Sequence, residues 1–312
     1  MAQTIGKIGL VGAGAVGGFY GLMLRQAGED VHFLLRSNFE KVKKDGFSLI
    51  HHLPERKVEE IKNIPIYEDT PSIGVCDWVI IATKANANDQ VIKLVRPLVD
   101  ENTAILTLQN GMGNVENIAR AFGEERVILG GLCFTCINRT TPNTIESILP
   151  GYVQFGQYGS ILSNKAVSLV DIFEQSGVKV SRAESLPEVL WRKLCWNVPF
   201  NGLSIVGGGI TTDQILTDQD LRKRAGQLMN EIQAGAKSQG IIIEDRFLDK
   251  QFYLTEPMGA YKPSSLIDYL AGKPVEVEAI FGEALRRGQE KGVEMPELCN
   301  LYNELIELTS IR

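Results

Sequence analysis

Lys7-Ile8-Gly9-Leu10-Val11-Gly12-Ala13-Gly14-Ala15-Val16-Gly17 decides the fold of this chain. The first five residues form a short apolar strand, and the next six form a complete G-x-G-x-x-G. The segment from Val16 to about Ala27 has helical character and stops at Gly28, a suitable C-terminal cap. Val31-His32-Phe33-Leu34-Leu35 reads as the next strand. Glycine-rich turns are common, so the signal lies in the context, a turn between strand and helix that opens a βαβ unit. In such a unit Gly12 allows the tight turn, Gly14 lets backbone N–H groups approach a pyrophosphate, and Gly17 lets helix and strand pack closely. Ala13, Ala15 and Val16 complete the turn, and the helix N-terminus presents free N–H groups to the phosphates. The expectation is a dinucleotide-binding domain.

Outward from the turn, the end of the second strand bears on which dinucleotide binds. A domain that prefers NAD usually has Asp or Glu about 20 residues after the glycines, holding the ribose 2′-hydroxyl. This chain has Arg36-Ser37-Asn38, with Lys41, Lys43 and Lys44 close behind. A guanidinium binds a 2′-phosphate through charge-assisted hydrogen bonds of roughly 1.5–3 kcal/mol each. The expected cofactor is therefore NADP(H), with Arg36 on the 2′-phosphate. Further strands run from Trp78 to Thr83 and from Thr103 to Leu108, ending at Lys84 and at Gln109-Asn110-Gly111. Ligands of open parallel sheets bind beyond the carboxyl ends of the strands, which makes Lys84 and Asn110 candidate cofactor contacts. Residues 152–155 and 178–180 read as later strands, the second preceded by an amphipathic helix from Lys165 to Gln175.

After about Arg182 the apolar period becomes helical, with candidate helices over 187–203, 218–239, 264–271, 276–291 and 296–310. Asp218 and Ser264 are expected N-caps, and Pro296 suits a first helical turn. The expected domains are 1–183 and 184–312, with a cleft between them. Within Trp191-Arg192-Lys193-Leu194-Cys195-Trp196-Asn197-Val198-Pro199-Phe200-Asn201, Lys193, Asn197 and Asn201 recur every fourth residue. On a helix they form one polar stripe amid aromatic and aliphatic neighbours. A lysine beside two amides can protonate a developing alkoxide while the amides grip a small polar substrate. Pro199 is expected to kink this helix and redirect Asn201.

Composition narrows the function classes. The chain has 312 residues, 44% hydrophobic and 22% charged, with a net charge of −6, which disfavours nucleic acid or an anionic membrane as partner. No apolar run is long enough for a membrane helix, and the N-terminus enters a strand without room for a signal peptide, so a cytoplasmic protein is expected. The five cysteines show no disulfide framework. Cys133 and Cys136 form a C-x-x-C in an expected strand, where positions three apart face opposite ways, so no metal site is expected. The three histidines lie far from the stripe, His32 in an expected strand and His51 and His52 in an expected polar connection, which argues against His-dependent hydride transfer and Ser-His-Asp hydrolysis.

Taken together, these motifs resemble the ketopantoate reductases (2-dehydropantoate 2-reductases) over essentially the whole chain. The resemblance rests on G-A-G-A-V-G, Arg36, A-T-K ending at Lys84, Q-N-G-M-G-N with Asn110, and W-R-K-L-x-x-N-x-x-x-N. Lys262-Pro263-Ser264-Ser265-Leu266-Ile267-Asp268 and Gly272-Lys273-Pro274-Val275-Glu276 complete it. It implies an α/β protein, a Rossmann-type parallel-sheet domain followed by an all-helical domain like the C-terminal domain of 6-phosphogluconate dehydrogenase. It also implies reduction of a 2-oxo acid by NADPH, giving pantoate on the route to coenzyme A. By resemblance Lys193 is the general acid, Asn197, Asn201 and Ser264 contact substrate, and Asn110 lies between cofactor and substrate. Lys84 lines the cofactor side, and Glu276 matches the acidic residue near the substrate hydroxyl and the nicotinamide; Glu278 lies two residues on, and spacing from Asp268 favours Glu276. Two positions depart from the family: Val275 stands where Thr is frequent, and Gly209-Ile210-Thr211-Thr212 where an asparagine is frequent. They leave open a second reading, a reductase of another 2-oxo acid, and a third is an NADP sensor without catalysis. A monomer and a homodimer are both compatible with the sequence.

Overall fold

The computed structural model describes residues 5–310. They form two compact units, one of residues up to Gln109 together with Asn114–Leu186, the other of Asn110–Gly113 together with residues from Pro187 onward.

The first unit alternates strands and helices. In chain order these are β1 (Lys7–Val11), α1 (Ala15–Gln26), β2 (Asp30–Leu34), α2 (Phe39–Asp45), β3 (Phe47–His51), β4 (Lys57–Ile61), β5 (Ile66–Tyr67) and α3 (Thr70–Ile73). Then come β6 (Trp78–Ile81), α4 (Asn88–Val95), β7 (Ala104–Thr107), α5 (Asn114–Phe122), β8 (Ile128–Arg139), β9 (Thr144–Gln157), α6 (Asn164–Gln175) and β10 (Val180–Arg182). Among the described residues the strands make one ten-stranded sheet in the order β4-β3-β9-β8-β7-β6-β1-β2-β5, with β10 beside β9. The segment β5-β2-β1-β6-β7-β8 is parallel throughout, as the Rossmann-type reading requires. The sheet is only mostly parallel, because β3–β4 and β8–β9 are antiparallel hairpins.

Both hairpins differ from the sequence reading. The stretch holding His51 and His52, read as a polar connection, contains β3 and β4; β4 is Lys-Val-Glu-Glu-Ile, a charged strand at the sheet edge. Charge there blocks edge-to-edge pairing and removes the apolar alternation that marks a strand. The expected strands near 127–135 and 152–155 are arms of one long hairpin, with a register shift between Phe134 and Cys136. That irregularity breaks strict alternation where Cys133 and Cys136 sit, so the opposite-face argument for this pair does not hold.

The unit's core lies between the sheet and α1 with α6, where Phe19, Tyr20, Phe33, Phe47, Phe155 and Phe173 are all buried. Tyr20 on α1 contacts the ring of Phe173 on α6, which in turn meets Phe155 on β9, tying the two helices and the sheet together. Burial raises the Tyr20 hydroxyl pKa far above its ordinary value, so it stays neutral.

The second unit is helical: α7 (Leu186–Val206), α8 (Thr212–Thr217), α9 (Gln219–Ser238), α10 (Asp245–Thr255), α11 (Ser264–Leu270), α12 (Glu283–Glu290) and α13 (Pro296–Ser310). A π-helical turn, Glu278–Gly282, leads into α12. α7 is its axis. Trp191, Leu194, Cys195, Val198, Phe200, Leu203 and Ile205 are each at most 2% exposed, so apolar residues bury most of the helix surface around the stripe of Lys193, Asn197 and Asn201. α7 is one continuous helix through Pro199, which removes one backbone bond, and the packed residues of its apolar face hold it together there.

Asp218 caps α9 as expected, accepting from the N–H groups of Asp220 and Leu221. Ser264 is not an N-cap; Pro263 holds that position and Ser264 is the first helical residue. α8 and α10 were not anticipated. No helix among the described residues is long and apolar enough to cross a membrane.

Candidate active site

The glycine-rich turn joins β1 to α1. Gly12 has φ +102, and a Cβ on it would lie 2.6 Å from Ala82 C and Thr83 N, the backbone leaving β6. A Cβ on Gly17 would meet Gly12 O and stand 2.7 Å from Ala82 Cβ. Those two glycines are demanded by the protein itself. Gly14, the N-cap of α1, has φ −77, and a Cβ there would find nothing within 4 Å. Neither backbone strain nor packing accounts for Gly14, which is the signature of a position kept small for a ligand's approach. The turn from Gly12 to Gly17 and the helix N-terminus behind it therefore fit a dinucleotide pyrophosphate.

Arg36 follows β2, is exposed, and makes no hydrogen bond or ion pair with the described residues, so its guanidinium is available to a phosphate. Its neighbours are not equally available. Asn38 is buried and donates to Pro142 O at 2.8 Å. Lys41 pairs with Asp45 at 2.6 Å and, with Lys44 and Lys62 near, holds that carboxyl below its usual range. Lys43 lies over the Phe39 ring. Lys84 is exposed at the end of β6.

The ends of β6 and β7 are joined by amides the sequence did not single out. Gln109 Nε2 donates to Thr83 Oγ1 at 3.2 Å and to Asn88 Oδ1 at 2.8 Å, and Asn88 Nδ2 donates to Asn114 Oδ1 at 2.9 Å. The Gln-Asn-Gly run marks this place, but nothing in its spacing announces the partners.

Asn110 follows Gln109 in the chain, yet Asn110–Gly113 pack with the helical unit. Met112 N–H donates to Ala279 O at 2.8 Å, and Met112 is buried in that unit's core. Gly111 has φ +86, and a Cβ would collide with the Ala279 carbonyl. That carbonyl belongs to the π-helical turn, a form that frees backbone groups and recurs at functional sites. So held, Asn110 offers Oδ1 to Lys193 Nζ at 2.9 Å.

One α7 turn on, Asn197 is 8% exposed and its carboxamide makes no hydrogen bond with the described residues. Asn201 is different. It is 1% exposed, its Nδ2 donates to Asn197 O, and its Oδ1 accepts the Ser265 N–H, each at 3.0 Å. Asn201 thus supplies, from another helix, the cap that α11 lacks locally. Ser264 is exposed at the start of that helix.

Glu276 and Glu278 separate clearly. Glu276 is 4% exposed. Glu278 is bound to Arg286 at 2.8 Å and to the Tyr302 hydroxyl. Despite partial burial, those partners hold its pKa below the usual range. The two departures from the family are absorbed by structure. Val275 is 8% exposed in the helical core, and Thr211 forms a capping box with Gln214 at the start of α8.

A phosphate-binding turn on an α/β unit, with a lysine and amides grouped on a helical unit, defines a dinucleotide-dependent oxidoreductase. Residues 8–160 match the family model for ketopantoate reductase PanE/ApbA, and residues 186–309 match the model for its C-terminal domain. The chain belongs to the ketopantoate reductase family. It is 38% identical over 306 residues to a Nostoc protein named 2-dehydropantoate 2-reductase, covering 96% of this chain and 94% of that one. Its fold is similar to the solved 2-dehydropantoate 2-reductase of Geobacter metallireducens, with TM-score 0.92, 37% identity, and coverage of 96% and 99%. The Methylococcus capsulatus structure of the same name gives TM-score 0.89 at 29% identity, covering 98% and 97%.

Gly12→Ala is expected to lower stability by at least about 2 kcal/mol, since it meets both a left-handed backbone and the β6 backbone. Gly14→Ala should cost no more than about 1 kcal/mol, as a weakened N-cap, while cofactor affinity falls. Urea unfolding and cofactor titration of the two variants check the contrast. Asn201→Ala should cost about 2 kcal/mol by stranding a buried N–H. Ser264→Ala should change stability by under about 0.5 kcal/mol, measured the same way.

Proposed function

We propose that this protein reduces 2-dehydropantoate to pantoate with NADPH, on the route to coenzyme A, with Lys193 as general acid. The observation that carries the reading is the Lys193–Asn110 hydrogen bond beside the unengaged Asn197 carboxamide on the same helix. In this reading residues 1–183 bind the cofactor and 184–312 the substrate, with Asn110 acting beside Lys193. NADPH, when bound, supplies the hydride that the C2 carbonyl carbon accepts.

The chain's own residues do the rest. Gly12, Ala13, Gly14, Ala15, Val16 and Gly17 wrap the pyrophosphate, and Arg36 takes the 2′-phosphate. In this reading Lys84 contacts the cofactor, Asn110 lies between cofactor and substrate, and Glu276 acts near the substrate hydroxyl and the nicotinamide. An ammonium has three N–H donors. Asn110 Oδ1 accepts one of them, which restricts where the ammonium can turn. As hydride reaches C2, the C=O π pair moves onto oxygen. Lys193 Nζ stabilises that charge and passes one proton to it, leaving a secondary alcohol and a neutral amine that solvent reprotonates. Asn197 and Ser264 hold the polar ends of the 2-oxo acid. Asn201 acts through the placement of Ser264. Glu276 is the buried carboxylate at the family's acidic position, whereas Glu278 is committed to Arg286 and Tyr302.

The named substrate is supported over another 2-oxo acid by the 38% identity to the Nostoc protein named 2-dehydropantoate 2-reductase, while packing and capping account for Val275 and Thr211. Retention of Lys193 with its amide partner favours catalysis over sensing.

The test is loss of NADPH absorbance with 2-dehydropantoate beside a panel of other 2-oxo acids. Fast turnover confined to 2-dehydropantoate is expected, and a better substrate elsewhere in the panel would overturn the assignment. Lys193→Ala should lower kcat by about 10²–10⁴ with NADPH affinity unchanged. Turnover surviving within a few-fold would remove the general-acid role.

A further inference from the structure

The tip of the β8–β9 hairpin lies on the glycine-rich turn. Ile145 is fully buried, and a Cβ on Gly18 would run into its side chain. Arg139 pairs with Ile145 across the hairpin and reaches the turn itself, Nη1 donating to Ala13 O at 3.3 Å. Its Nη2 donates to Pro142 O at 2.6 Å and its Nε to Thr141 O at 3.3 Å. The same Pro142 carbonyl accepts from Asn38, two residues beyond Arg36. Arg139 therefore stands on a hydrogen-bonded path from the glycine-rich turn to the turn that carries Arg36. The tip is also anchored from its other side: Ser48 N–H donates to Asn143 O at 2.8 Å, and Asn143 Nδ2 to Gly46 O at 3.0 Å.

The electrostatics there are unbalanced. Arg139 is half-buried, and burial pulls its pKa below the ordinary guanidinium value. Its three acceptors are neutral carbonyls, and it forms no ion pair among the described residues. The hairpin's own carboxylate, Glu146, is bound to His52 and Thr140, each at 3.0 Å. A partly desolvated cation without a counter-ion is costly, and an arriving anion would offset that cost. Of five guanidinium N–H donors, three are used, leaving one on each terminal nitrogen.

We propose that Arg139 is a second guanidinium for the adenosine 2′-phosphate, acting with Arg36 to select NADPH over NADH. The pyrophosphate is served by backbone N–H groups, whereas Arg139 meets the turn through a carbonyl and leads toward Arg36. The proposal rests on the NADPH reading above.

The test is fluorescence titration of NADPH and NADH against the wild type, Arg139→Gln and Arg139→Lys, with thermal melting alongside. Arg139→Gln is expected to weaken NADPH by about ten- to a hundredfold, the loss of one or two charge-assisted bonds, and to leave NADH nearly unchanged. Arg139→Lys, which keeps the charge without the fork, should fall between. The NADPH-to-NADH ratio within one variant is unaffected by any unfolded fraction, so it remains readable if the hairpin loosens. An equal loss for both cofactors would reduce Arg139 to a support for the turn, and an unchanged NADPH affinity would also overturn the proposal. A wild type that binds both cofactors equally would instead bring down the NADPH reading itself.

Discussion

The hydrogen bond from Lys193 Nζ to Asn110 Oδ1 depends on several separate parts of the helical unit. Lysine is long and flexible, and an ammonium left to itself samples many positions. Three features remove that freedom. α7 is packed tightly along its apolar face, so the base of the side chain is fixed. The Asn110–Gly113 segment is pinned by Met112 to the Ala279 carbonyl, with Gly111 close against the same group. The π-helical turn presents that carbonyl. Remove any of the three and Asn110 no longer meets Lys193 at a defined place.

The α/β unit solves a different problem, bringing backbone close to a highly charged ligand. Gly12 and Gly17 let β1, α1 and the end of β6 crowd together, and that crowding sets where the turn lies. Gly14 then leaves room that no protein atom fills. The hairpin tip over this turn adds Arg139, whose charge finds no carboxylate among the described residues around it. Backbone dipoles serve a pyrophosphate of any dinucleotide, whereas guanidinium groups distinguish the one with an extra phosphate.

Much of this was legible in the sequence because it follows local rules. Three glycines between strand and helix, a basic residue where NAD-binding domains carry a carboxylate, and polar residues at helical spacing can be seen without a structure. What was not legible depends on contacts distant in sequence. Arg139 touches a residue 126 positions away, and its strand ends in a polar turn of ordinary composition. Ser264 resembled an N-cap because serine often is one, but the bond that replaces the cap comes from Asn201 on α7. α7 stays one helix through Pro199 for a related reason, since packing around it outweighs the missing N–H. The β4 edge strand was hidden by the charges that keep it from pairing further.

In the proposed reaction Asn110 acts through Lys193. That coupling is tested most directly by a double-mutant cycle in kcat at saturating NADPH, using Asn110→Ala, Lys193→Ala and the double variant. Strong non-additivity is expected, with Asn110→Ala costing much in the wild type and almost nothing once Lys193 is gone. Losses that simply add would show that the two residues work independently, and would contradict the account.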